Sequence, residues 1–119
     1  MSLRDDRGSA TVWSLVLMTV LLMTGCLAMT VAQIAIARQR LASAADLAAL
    51  AAAQNPGAGC ARAHHFARSN GVELGSCRFD GVDHWVEVWL PAPSLLTRMA
   101  MLMGEPVPDL RVTSRAGPG

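Results

Sequence analysis

The most specific chemistry available to this sequence belongs to Cys60, His64, Cys77 and His84, which hold two of its three cysteines and two of its three histidines. A Cys60–Cys77 disulfide would close a loop of about 18 residues and stabilise a small domain by roughly 2–4 kcal/mol. Zinc is the sharper alternative. Cys60 and His64 stand one helical turn apart, and His84 is expected across a hairpin from Cys77, so four ligand-type side chains could converge. The spacing has no close C-x-x-C knuckle, however, and zinc sites of this kind are mostly intracellular; unpaired thiols are the third reading. The disulfide fits best, and it requires an oxidising compartment. No other constellation carries reaction chemistry. There is no G-x-S-x-G elbow, no phosphate loop and no nucleophile–base–orienter set, so neither an enzyme nor a cofactor is expected. Asp80, Asp83 and Glu87 are accounted for by a turn and a solvated strand face, and His65 by the surface.

The elements that position these residues begin with a membrane-type helix. Residues 9–37 contain no charge. As a helix this run would reach about 43 Å, more than the roughly 30 Å hydrocarbon core of a bilayer. A secretory signal has an apolar stretch of only about 7–15 residues, and a soluble protein this short has no core able to surround such a helix. Hydrophobic residues make up 52% of the chain, charged residues only 16%, and mean hydropathy is +0.34, all consistent with a membrane protein. The net charge of +1 offers no electrostatic footprint for nucleic acid. Basic residues do not orient the span, since Arg4 and Arg7 precede it and Arg38 and Arg40 follow it. The cysteine pair does, placing the N-terminus in the cytoplasm and the C-terminal domain outside. Met23-Thr24-Gly25-Cys26 loosely resembles a lipobox, but the apolar helix continues through residues 27–37 where a lipoprotein has a polar tether. A membrane-buried cysteine acting as a small apolar residue is the simpler reading.

Residues 38–53 extend the helix with alanine and leucine, and 54–57, Gln-Asn-Pro-Gly, end it. Gln39, Ser43 and Asp46 fall on one side; the other sides are almost wholly apolar. Two partners suit such a helix: its own small domain, or similar helices approached through small residues. A short helix over 59–70 follows, with Cys60, Ala63 and Ala67 on one face and Gly71 at a left-handed cap. Asp80-Gly81 between two patterned runs predicts a two-residue hairpin loop. The resulting register pairs Phe79 with Val82, Arg78 with Asp83, Cys77 with His84 and Gly75 with Val86. It gathers Cys77, Phe79, Val82, Val86, Val88 and Leu90 on one face. Pro91 and Pro93 end the second strand. Ser94 would cap a helix over 95–103, and 110–114 forms a third strand, leaving 115–119 without a fold signal. The expected class is α+β: a long membrane helix, then a small extracytoplasmic domain built from a short helix, a β-hairpin and a third strand. The divisions are 1–8 leader-like and cytoplasmic, 9–37 transmembrane, 38–55 helix extension and 56–119 domain. Trp85, Trp89 and the apolar stripe Leu95, Met99 and Leu102 are candidates for partner docking, with methionine suited to irregular partner surfaces.

These residues also resemble a family. Asp6-Arg7-Gly8-Ser9-Ala10-Thr11-Val12 ahead of the apolar helix, then Ala44-Ala45-Asp46-Leu47-Ala48-Ala49-Leu50-Ala51-Ala52-Ala53, look like TadE-like proteins of tight-adherence pili. The closer resemblance is to the subgroup named for a helicase/secretion gene neighbourhood in high-GC Gram-positive bacteria, and it continues through Cys60, Asn70-Gly71, Ser76-Cys77-Arg78 and Arg115-Ala116-Gly117-Pro118. It implies a pseudopilin-like helix carrying an exported, pilin-like domain at the cell membrane or surface. Partners would be membrane lipids and other pseudopilin-like or secretion-system proteins, met through the Ala-rich helix. The resemblance also implies leader-peptidase cleavage between Gly8 and Ser9. The chain departs from the family pattern at the mature fifth residue: Trp13 stands where a glutamate usually meets the N-terminal amine of a neighbouring subunit. An assembly subunit and a membrane-anchored binding module outside any filament are the two functions these features allow.

Overall fold

The computed structural model describes residues 6–55 and 57–117. Residues 1–5 of the expected leader, Pro56 of the expected helix break, and the closing Pro118 and Gly119 lie outside the described residues. The first element is one unbroken helix, α1 (Asp6–Ala53). Its only glycines are Gly8 and Gly25, it contains no proline, and alanine and leucine are its commonest residues. The chain divides into two units, Met1–Gln33 and Ile34–Gly119, and α1 contributes to both.

In the first unit, α1 exposes Leu, Val, Met and Trp side chains on every side, and none of its most apolar window is buried. Hydroxyls in the middle of the span are satisfied within the helix: Thr19, Thr24 and Thr30 donate to the carbonyls of Leu15, Val20 and Cys26 at 2.8–2.9 Å. A helix that closes its own polar groups in this way suits a medium with no water to bond them. This is a candidate membrane span by length and composition.

The second unit is α+β. Its later elements are α2 (Gly59–Ser69), β1 (Glu73–Phe79), β2 (His84–Leu90), α3 (Ser94–Met103) and β3 (Leu110–Ala116). The strands form an antiparallel sheet in the order β1-β2-β3. Leu41, Ala44, Ala45, Ala48, Ala49 and Ala52 of α1 recur every three or four residues and are buried with Ala63 and Ala67 of α2, Val72, and Val86 and Val88 of β2. The Ala-rich stripe is therefore core of its own domain, while Leu47 and Leu50 on another side remain 46% and 51% exposed. Alanine lets the backbones approach closely. At Gly59 the approach is closer still, since a Cβ there would stand 2.9 Å from the Ala52 carbonyl and 2.6 Å from His84 Nε2. α2 ends as its sequence predicts, with Gly71 at φ 71°, its N–H donating to Arg68 O and that of Val72 to Ala67 O.

The hairpin sits where Asp80-Gly81 predicts, but its register differs from the two-residue loop. Phe79 pairs with His84, Arg78 with Trp85, Cys77 with Val86 and Ser76 with Glu87, leaving 80–83 as a four-residue turn. The Asp80 carboxylate causes this: its Oδ1 accepts from Val82 N and Asp83 N, at 3.1 and 2.8 Å, and so closes the wider loop. A shift of two residues keeps each side chain on its own face, so Cys77, Val86, Val88 and Leu90 still point to the core. Phe79 and Val82 do not join them and are 54% and 61% exposed. At Gly75 the strand bulges, so that Leu74 faces Val88 and returns to the core side. Asp83 pairs not with Arg78 but with Arg115, its Oδ2 2.6 Å from Arg115 Nε. That ion pair and the pairing of Trp85 with Arg115 and His84 with Ala116 extend β3 past Ser114, into residues expected to be featureless. Ser94 is not a cap but the first residue of α3, which begins after Pro93 with no side-chain cap, and Gly104 closes the helix at φ 77°.

Candidate functional site

The cysteine pair is a disulfide. Cys60 on α2 and Cys77 on β1 are bonded with their Cα atoms 5.7 Å apart, which staples the helix to the edge strand of the sheet. Both sulfurs are consumed, so the zinc alternative has no thiolate. His64 is exposed, and His84 is buried with its ring 4.6 Å from that of Phe79. Among the described residues no group of three or more potential metal ligands occurs. Cys26 is free and exposed on α1, within unbroken helix.

On the face of the sheet turned away from the helices, Trp85 has partners of its own. Its indole N–H donates to Asp80 Oδ2 at 2.9 Å, and the guanidinium carbons of Arg78 and Arg115 lie 5.5 and 5.4 Å from its ring centroid. Arg111 and Glu87 add an ion pair on the same face at 3.2 Å. Trp89 is half-buried above Gly75, where a Cβ would stand 3.3 Å from its ring. The three hydrogen bonds accepted by Asp80, from Asp83 N, Trp85 Nε1 and Val82 N, lower its pKa from 3.8 to about 2. A carboxylate with a depressed folded pKa lends stability above pH 3.8, and that stability is lost as pH falls towards 2. The Trp85 indole proton resonance is expected to titrate with a midpoint near 2. In Asp80→Asn that step is expected to disappear.

The docking candidates of α3 are open to solvent: Leu95, Met99 and Leu102 are 50%, 48% and 89% exposed, while Ala100 on the opposite side is buried. Thus the disulfide joins two residues that the spacing singled out, whereas the tryptophans and the α3 stripe are separate features. The ion pair of Asp83 with Arg115 and the hydrogen bond from Ser114 Oγ to Asp46 Oδ1, at 2.6 Å, were not anticipated. Both depend on β3 lying beside β2, which local sequence does not encode. Gly8 and Ser9 lie in the first turns of α1, exposed, as does Trp13.

Comparison with known families adds one finding. Residues 8–55 match the family described as "Putative Flp pilus-assembly TadE/G-like". The match covers the whole apolar span and the alanine stripe that packs in the domain, and it supports a role in tight-adherence pilus assembly. No curated protein and no solved structure is significantly similar to the chain. Over residues 8–55, which include most of α1, the chain is similar to the TadE/G-like family.

Proposed function

We propose that the chain is a minor pseudopilin-like subunit, or an assembly component, of a tight-adherence-type pilus or secretion system. The observation that carries this is the TadE/G-like helix: an apolar span of α1 continuing without a break into an alanine stripe that holds a disulfide-bonded domain. In this reading the first part of α1 crosses the membrane, the N-terminus is cytoplasmic, and the oxidised domain lies outside, where its disulfide can persist. The exposed helix side chains Leu47 and Leu50, and the small residues along the span, would meet neighbouring pilus proteins. Cleavage between Gly8 and Ser9 would leave Ser9 as the mature N-terminus.

One observation favours a second reading, a membrane-anchored binding module that never enters a filament. Trp13 occupies the position at which an assembling subunit presents a carboxylate, and a carboxylate buried in lipid needs the partner that assembly supplies. Shearing surface filaments from cells and sequencing the N-terminus of the chain separates the two. The subunit reading expects the chain in the filament fraction, beginning at Ser9. Retention of residues 1–8, with all of the chain in the membrane fraction of filament-bearing cells, would favour the binding module and sink the subunit.

A further inference from the structure

We infer that the outer edge of β3 is a docking site for an extended acidic segment of another protein, which joins the sheet as a fourth strand. The hairpin fixes which backbone groups face that edge. The Asp80 N–H donates to Asp83 O at 3.1 Å, so 80 and 83 form a hydrogen-bonded pair. Bonded and non-bonded pairs alternate along an antiparallel ladder. The N–H and C=O groups of Trp85 and Glu87 therefore face β1, and those of His84, Val86, Val88 and Leu90 face β3. Their partners on β3 are Ala116, Ser114, Val112 and Leu110. That leaves the N–H and C=O of Arg111, Thr113 and Arg115 on the outer edge, where they bond to no other described residue.

Sheet edges are commonly blunted by proline, a bulge, an inward-pointing charge or a covering element. β1 has two of these: it bulges at Gly75, and α2 packs against it and is bonded to it through Cys60 and Cys77. β3 has none of the four. It contains no proline, pairs with β2 without a bulge, and is uncharged on its core side, at Leu110, Val112, Ser114 and Ala116. Among the described elements only β2 lies along it. Beside it a groove of about 550 Å³ opens between Arg38 and Ala42 of α1 and Leu110 and Val112. Side chains of an added strand that share the core side of Val112 would enter this groove, which suits apolar residues at alternate positions. On the other side, the residues directly opposite Arg111 and Arg115 meet guanidinium groups. These side chains are 59% and 60% exposed, and their ion pairs with Glu87 and Asp83 engage Nη1 and Nε, so further donors remain. Carboxylates four residues apart, with apolar residues between them, complement this edge in main chain, charge and packing. A second copy fits it poorly. Full-length antiparallel pairing of β3 with itself sets Arg111 opposite Arg115 twice, and like charges placed so are destabilising.

The test records amide hydrogen exchange of the full chain in zwitterionic detergent, alone and with a capped synthetic peptide. The peptide carries two aspartates four residues apart, with valine, threonine and valine between them. Without it, the N–H groups of Arg111, Thr113 and Arg115 are expected to exchange freely while those of Val112 and Ser114 are protected. Saturating peptide is expected to slow the first three by about tenfold, and a peptide with lysine in place of each aspartate to slow them several-fold less. Thr113→Pro removes an outward N–H and no bond to β2, so it should abolish the effect with the melting temperature unchanged. If that variant unfolds, the two peptides on the wild-type chain still decide. No slowing by the acidic peptide, or equal slowing by both, overturns the inference. Protection of Arg111, Thr113 and Arg115 before any peptide is added overturns it too: in a chain that sediments as a dimer a second copy fills the edge, and in a monomer the edge is closed within the chain.

Discussion

Removing the disulfide with Cys60→Ala and Cys77→Ala is expected to lower the stability of the domain by about 2–4 kcal/mol. The bond spans 17 residues and joins α2 to an edge strand, so without it the unfolded chain regains the freedom of the whole 60–77 loop. The remaining core is thin. Its largest fully buried side chains are Leu41, Val72, Val86 and Val88, and most of the rest is alanine. A domain this small loses about 4–8 °C of melting temperature per kcal/mol. Thermal unfolding of the full chain in detergent should therefore fall by about 10 °C or more. Reduction of the wild-type chain should produce the same fall, and Cys26→Ala, which touches no bond, should produce none. An unchanged melting temperature after reduction would mean that the alanine and valine core holds the domain unaided.

Ala48→Glu is expected to do more damage, and Leu47→Glu almost none. Ala48 is fully buried in the cluster with Ala44, Ala45, Ala52, Val86 and Val88. A carboxylate placed there has no cation to pair with and costs several kcal/mol, a large share of what a small domain has in total. Leu47 is the next residue along the helix, 46% exposed, and glutamate is as good a helix former. Protection of the Val86 and Val88 amides from hydrogen exchange reads the difference: lost in Ala48→Glu, retained in Leu47→Glu. The reverse pattern would mean that α1 presents a different face to the sheet.

That contrast also shows where sequence stops being informative. From 38 to 53 nearly every side of the helix is Ala or Leu, so periodicity cannot say which stripe is core. The neighbouring sheet decides it. The disulfide was legible because two independent patterns converge: strand alternation puts Cys77 on the apolar side, and helix spacing puts Cys60 beside Ala63 and Ala67. The hairpin was legible in place but not in register. Asp-Gly specifies a tight turn, yet the Asp80 carboxylate captures two backbone N–H groups and holds a wider one. The Gly75 bulge is equally silent in the pattern, because it only becomes useful once Leu74 has Val88 to face. Arg115 and Ala116 look like tail until Asp83 and β2 are beside them. In each case local chemistry marks the element, and contacts from distant residues set its final alignment.

A reporter enzyme that is active only after export, fused behind Gly119, tests most directly whether this chain is a membrane-anchored component with its domain outside the cytoplasm. Activity of the reporter in intact cells, in the membrane fraction and dependent on an uninterrupted apolar helix, is the expected result. An inactive reporter, together with free, alkylatable Cys60 and Cys77 in freshly prepared membranes, would put the domain in the cytoplasm and contradict the proposed role.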